Sequence, residues 1–107
     1  MRIISGIAKG KKILRPNDRT TRPLKDLVRE SIFNILNHSK LLQVNFKECV
    51  VLDLFSGIGS FGLEAISRGA KKVIFFEEYK GAIDLLIKNL NILCFKEKAK
   101  IIKKKYL

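Results

Sequence analysis

The sequence predicts an α/β protein in which strand, helix, strand, helix and strand follow one another, the order that builds a parallel sheet with right-handed crossovers. Three observations carry this. The run Cys49-Val50-Val51-Leu52-Asp53-Leu54-Phe55 is short, apolar and rich in β-branched residues, as in a buried strand. It leads directly into Ser56-Gly57-Ile58-Gly59-Ser60, a glycine-rich turn. Farther on, Ala82, Leu86, Leu90 and Leu93 recur at the spacing of one helical face.

Taken in order, residues 1–23 mix Gly6, Gly10, Pro16 and Pro23 with basic residues and short apolar pairs, which predicts an irregular arm with one or two short strands. From about Pro23 to Asn37, Val28, Ile32, Ile35 and Leu36 recur at helical spacing, and Pro23 stands where a first turn tolerates it. After the first strand and its turn, Phe61 to Arg68 reads as a short helix, with Gly69 placed for a left-handed cap. Lys72 to Phe76 is the second strand, with Glu77 at its end. A helix from about Lys80 to Leu93 follows, and Lys100-Ile101-Ile102 opens a third strand. Two regions result, a basic arm and helix over residues 1–40 and the first half of a nucleoside-binding sheet domain over 41–107. A doubly wound sheet ordinarily has more strands than three, so the fold is expected to be incomplete, with an open edge after Ile102 prone to self-association.

The 107 residues carry 22 Lys and Arg against 10 Asp and Glu, a net charge of +12. That imbalance points to a polyanionic partner, and nucleic acid is favoured over a membrane because the charge is spread through several segments. No run approaches the ~20 apolar residues needed to span a bilayer and no signal peptide opens the chain, so a cytoplasmic location is expected. Cys49 and Cys94 sit among apolar neighbours without further thiols or a nearby histidine, which predicts reduced core residues and no metal site. His38, the sole histidine, reads as a surface residue near the end of the first helix.

Gly57, Gly59 and Gly62 satisfy G-x-G-x-x-G directly after a strand and before a helix, the context in which this pattern cradles a nucleoside cofactor. Glycines there let the ligand approach the backbone and permit positive φ. Glu77, twenty residues after Gly57 and at the end of the second strand, is placed to accept both ribose hydroxyls. Asp53 decides between cofactors. A carboxylate four residues before the first glycine repels a dinucleotide pyrophosphate, whereas it pairs with the ammonium group of a methionine moiety. The balance moves from a nicotinamide dinucleotide to S-adenosylmethionine.

The segment from Asp53 through Leu54-Phe55-Ser56-Gly57-Ile58-Gly59-Ser60-Phe61-Gly62-Leu63-Glu64-Ala65 to Gly69-Ala70 resembles the cofactor segment of bacterial 16S rRNA guanine-N2 methyltransferases. The arm resembles the same family in the same order, through Arg2-Ile3-Ile4-Ser5-Gly6, Lys9-Gly10-Lys11, Thr21-Arg22-Pro23 and the stretch from Asp26 through Val28-Arg29-Glu30 to Phe33-Asn34. The resemblance implies a Rossmann-like methyltransferase that moves a methyl group from S-adenosylmethionine to N2 of a guanine in small-subunit ribosomal RNA, free or in the particle. It implies Asp53, Phe55, Gly57, Gly59 and Glu77 as cofactor residues. Leu24, Leu27 and Tyr79 depart from the family's pattern. The family's Asp/Asn-Pro-Pro-aromatic motif, which holds the target base, is not found, since the only prolines are Pro16 and Pro23. No catalytic residue is nominated, and a truncated form of the enzyme is the reading that follows.

Nine basic residues stand within residues 1–30, Arg2, Lys9, Lys11, Lys12, Arg15, Arg19, Arg22, Lys25 and Arg29, against the three acidic residues Asp18, Asp26 and Glu30. A glycine-punctuated basic arm can follow a phosphate backbone closely. Arg2, Lys9, Lys11, Lys12, Arg22 and Arg29 are the expected RNA contacts. Two other readings compete: a noncatalytic RNA-binding module, and a dinucleotide-binding domain that the glycine pattern favours and Asp53 disfavours.

Overall fold

The computed structural model describes residues 1–15, 26–39 and 46–104. Within them the chain forms α1 (Asp26–His38), β1 (Val50–Asp53), α2 (Ser60–Ser67), β2 (Lys72–Phe76), α3 (Lys80–Leu93) and β3 (Ala99–Ile102), with short 3-10 turns at Phe46–Glu48 and Lys96–Lys98. The three strands are parallel and lie in the order β1-β2-β3. This is the expected Rossmann-like α/β arrangement. The expectations placed on Pro16, Arg19, Arg22, Pro23, Leu24 and Lys25 fall outside the described residues.

Strand register explains which face is buried. Val51 and Asp53 pair with Val73 and Phe75, and because side chains alternate these residues share one face. That face carries the core, where Val73 and Phe75 meet Leu63 and Ile66 of α2 and Leu86, Leu90 and Leu93 of α3. Both crossover helices therefore lie on the same side. Val50 and Leu52 point the opposite way and are 53% and 56% exposed. The expectation of a strand buried on both faces is corrected accordingly: apolarity alone does not reveal that both helices cover one side.

Gly62 sits where α2 crosses the sheet, and a Cβ there would collide with the ring of Phe75 and with Val73. Its lack of a side chain lets the helix approach the sheet closely, a packing role in place of the ligand approach or positive φ expected of these glycines. α2 ends as the sequence implies. Gly69 adopts φ +111°, its amide bonds to Ile66 O at 3.0 Å, and Ala70 N reaches Ala65 O at 2.9 Å, the paired bonds of a Schellman cap. α3 closes in the same way, through Cys94 N to Asn91 O and Phe95 N to Leu90 O. Here the left-handed residue is Cys94, at φ +59°. Cys94 is exposed, not a core residue, because the αL position turns its side chain out of the helix's apolar face; Cys49 is partly buried.

α1 also differs from its periodicity. Val28 and Ile35 are exposed, Ile32 and Leu36 are partly buried, and the residues it buries fully are Arg29 and Phe33. Phe33 stacks on Phe61 with ring centroids 4.8 Å apart and tilts against Phe46 at 5.5 Å, with the Arg68 guanidinium 4.6 Å over its ring. Aromatic area and a cation over the ring outweigh the aliphatic stripe in choosing the buried face.

The arm is part of the same core. Ile3, Ala8 and Ile13 are buried together with Leu63 and Val73. Where one or two short strands were expected, the described residues of the arm form an isolated antiparallel bridge between Arg2 and Lys12, and bonds from Ile3 N to Lys11 O and Ile13 N to Met1 O, both 2.9 Å, close the loop.

Candidate functional site

β1 stops at Asp53 and the chain turns through Ser56 to Gly59 before α2 begins. Ser56 N bonds to Phe76 O at 3.1 Å and Gly59 N to Ser56 O at 2.8 Å, which ties the turn to the end of β2 and closes it on itself. Gly57 and Gly59 take φ +54° and +89°, the region that favours glycine. At Gly59 space is also short, since a Cβ would meet the side chain of Leu86. Gly59 is the N-cap of α2, and it brings no side-chain cap to the helix's first amides.

Glu77 lies beside this turn. Its Oε1 accepts the Gly57 amide at 2.8 Å, and its Oε2 accepts the amides of Glu78 and Tyr79 at 3.0 Å each. A carboxylate offers about four lone-pair directions, so acceptor capacity is left after these three bonds. Asp53 stands on the helix-side face of β1. Its Oδ2 is buried and has no hydrogen-bond partner among the described residues. Burial lifts the Asp53 carboxyl from 3.8 to about 6; backbone hydrogen bonds at Gly62 and Phe55 pull the other way, and the charge of Glu77 adds to the rise. Phe55 is 68% exposed at the start of the turn. The five expected cofactor residues are thus gathered at the carboxyl ends of two adjacent strands, where open α/β sheets bind ligands.

The arm lies against α2 and α3. Arg2, Lys9, Lys11 and Lys12 are exposed, and Arg2 also donates to Gly10 O at 2.7 Å. Arg29 is not with them. It is fully buried, its Nε 3.4 Å from Glu64 Oε1, and it donates to Arg2 O. A guanidinium so enclosed cannot meet a phosphate, and Arg29 leaves the RNA-contacting set. Arg22 lies outside the described residues.

Three polar residues that periodicity passed over hold the arm in place. Glu64, fully buried, accepts Ile4 N at 2.9 Å, Ser5 N at 3.0 Å and Arg68 Nε at 2.9 Å. Ser67 Oγ accepts Ala8 N at 3.0 Å and donates to Ser5 O at 2.6 Å. Asn89, fully buried, accepts Leu14 N at 2.7 Å and donates to Leu14 O and Ile58 O at 3.3 Å each. Their signal in the sequence was a polar residue on the apolar stripe of a helix, as in Leu63-Glu64-Ala65-Ile66. Among the described residues no group of three or more His, Cys, Asp or Glu could hold a metal ion, and no helix is long and apolar enough to cross a membrane.

The model of the family described as conserved hypothetical protein 95 matches residues 1–107. Ribosomal RNA small subunit methyltransferase D of Haemophilus influenzae is 43% identical over 103 residues, covering 95% of this chain and 50% of that protein. The Escherichia coli K12 protein of the same name is 38% identical over 90 residues, 84% of this chain and 42% of the relative. Among solved structures, the Escherichia coli protein yhhF, provisionally described as a methyltransferase, superposes with a TM-score of 0.81 at 32% identity over 98% of this chain and 52% of its own. A Thermus thermophilus protein of unassigned function gives 0.81 at 26% identity, over 99% and 56%. The chain spans about half the length of the curated relatives it matches. With one family model running from the first residue to the last and relatives of this similarity, the chain belongs to the conserved hypothetical protein 95 family and is kin to the small-subunit ribosomal RNA methyltransferases D.

Proposed function

We propose that this chain supplies the S-adenosylmethionine site and an RNA-contacting arm of an enzyme that methylates N2 of a guanine in small-subunit ribosomal RNA. The observation that carries the reading is Asp53, whose buried Oδ2 has no partner among the described residues at the mouth of a glycine turn. A buried carboxylate oxygen is costly unless paired, and the ammonium of a methionine moiety is a fitting partner. A dinucleotide pyrophosphate would bring like charge instead. The unused acceptor capacity of Glu77 suits ribose hydroxyls, and the exposed ring of Phe55 offers an apolar surface to the ligand.

The cofactor, when bound, supplies an electrophilic methyl group. In the transfer the sulfur–carbon bond breaks as a nitrogen–carbon bond forms at the guanine amine, leaving a thioether and releasing one proton. The chain's own part is to orient the donor and hold RNA phosphates with Arg2, Lys9, Lys11 and Lys12. No Pro-Pro pair stands in the 107 residues, so the base-holding role is not assigned to any residue of this chain.

Calorimetry with S-adenosylhomocysteine and with NAD tests the cofactor half. Binding of the first without competition by the second is the outcome this reading requires, and equal or tighter NAD binding overturns it. RNA binding should weaken steeply with salt, each phosphate contact adding about −0.7 to the log–log slope on single strands. Replacing Lys9, Lys11 and Lys12 with serine should flatten that slope by about 2. Deleting the arm would be a poor test, because Ile3, Ala8 and Ile13 belong to the core.

A further inference from the structure

Asn89 touches two places with separate tasks under the function proposed above. Its amide oxygen takes the Leu14 amide, and its amide nitrogen donates both to Leu14 O in the arm and to Ile58 O between the two glycines of the turn. The side chain is fully buried, and Ile58 is buried with it. We infer that Asn89 is a positioning residue that couples the arm to the cofactor turn, so that RNA on the arm and cofactor on the turn each tighten the binding of the other.

The coupling follows from the shape of the amide. A primary amide is rigid and planar, so its oxygen cannot follow a moving Leu14 without its nitrogen moving relative to Ile58. The Ile58 bond is buried and the two Leu14 bonds are part-buried, so losing the Ile58 bond leaves a buried polar group unpaired. Displacement of the arm's end is therefore opposed by the turn. At the arm's other end Glu64 and Ser67 of α2, the helix that Gly59 begins, hold the amides of Ile4, Ser5 and Ala8. Both attachments lead to the same glycines. A ligand that fixes either partner lowers the ordering cost left for the second, which is positive coupling and is reciprocal by thermodynamic necessity.

The inference rests on the proposed cofactor and RNA sites, and the experiment separates its failure from theirs. Amide resonances of the full chain are followed by NMR as a short stem-loop oligoribonucleotide is added, and S-adenosylhomocysteine is titrated calorimetrically with and without that RNA. In the native chain, RNA should shift resonances of Lys9 to Leu14 and also those of Gly57, Ile58 and Gly59, and should tighten S-adenosylhomocysteine about five-fold. In Asn89→Ala the arm resonances should still shift while those of the turn stay put, and the tightening should vanish. A merely structural residue would change stability without separating these two sets of signals. If Asn89→Ala does not fold, Leu14→Pro removes the N–H that Asn89 accepts, leaves Asn89 in place, and should bring the tightening below five-fold. Arm shifts without turn shifts in the native chain, or five-fold coupling that survives in a folded variant, overturn the inference. No arm shift at all overturns the RNA reading beneath it, and no binding of S-adenosylhomocysteine overturns the cofactor reading.

Discussion

Gly6 packs directly against Ser67, so closely that a Cβ on Gly6 would fall on the Ser67 carbonyl. The same glycine has φ +90°, and Ile7 N bonds to Ser67 O at 2.9 Å. Gly10, at φ +82°, has open space around it. Two glycines in one loop thus separate backbone strain from steric overlap. Gly10→Ala should cost about 1 kcal/mol from the left-handed conformation alone. Gly6→Ala adds overpacking against a backbone atom that cannot yield and should cost about 3 kcal/mol or more. Urea unfolding of both variants measures the difference, and equal losses would mean that the arm is not seated on α2 as described.

Glu64 joins the arm, α1 and α2, and its loss should be felt by all three. Removing its carboxylate in Glu64→Ala strands the amides of Ile4 and Ser5 and leaves the Arg29 guanidinium enclosed without that counter-charge. Breaking a buried pair from one side costs about 3–5 kcal/mol. A midpoint of unfolding within error of the native chain would contradict it.

Asp53 makes stability depend on pH in an unusual direction. Its carboxyl titrates near 6 in the folded chain against 3.8 ordinarily, so between those values the folded state binds more protons. Stability should therefore fall as pH rises from about 4 to about 6, by up to about 3 kcal/mol from this group. Asp53→Asn should remove that slope and be the more stable protein at pH 7. Under the proposed function the trade is visible in binding: S-adenosylhomocysteine should bind the native chain more tightly as pH passes 6 and the carboxylate ionises, and Asp53→Asn should show neither the gain nor the affinity. Thermal melts and calorimetry across pH 4–8 read both.

Glu77→Ala should weaken S-adenosylhomocysteine by about 1–3 kcal/mol through lost hydrogen bonds to a charged acceptor. It also frees the Gly57 amide from its 2.8 Å bond, so the Gly57 resonance should broaden or move even without ligand. An unchanged affinity would remove Glu77 from the site.

The parts legible in the sequence are those governed by neighbours along the chain. Lys72 to Phe76, Lys80 to Leu93, the glycine turn and the Gly69 cap lie where local pattern puts them, because period, β-branching and positive φ are local properties. Asp53 and Glu77 came together for the same reason, each being fixed at the end of a strand. What escaped was set by partners far away in sequence. Arg29 looked like one more arm cation until Glu64, thirty-five residues later, enclosed it. Val28 and Ile35 formed a plausible apolar stripe, yet Phe33 went inward, since two aromatic rings and a guanidinium awaited it. Asn89 makes bonds across 75 and 31 residues, and nothing next to it announces them.

The loop closed by Met1 and Ile13 has a consequence for how its charges work. Ordering a free chain costs about 1–2 kcal/mol per residue, and a basic tail must meet that cost each time it settles on a polyanion. Here Ile13 N holds Met1 O at 2.9 Å, the Arg2–Lys12 bridge spans the loop, and its apolar side chains are already in the core. Under the proposed function, the backbone positions that carry Arg2, Lys9, Lys11 and Lys12 are set before any polyanion arrives, so the loop is a preorganised template that favours phosphates of matching spacing over merely dense negative charge.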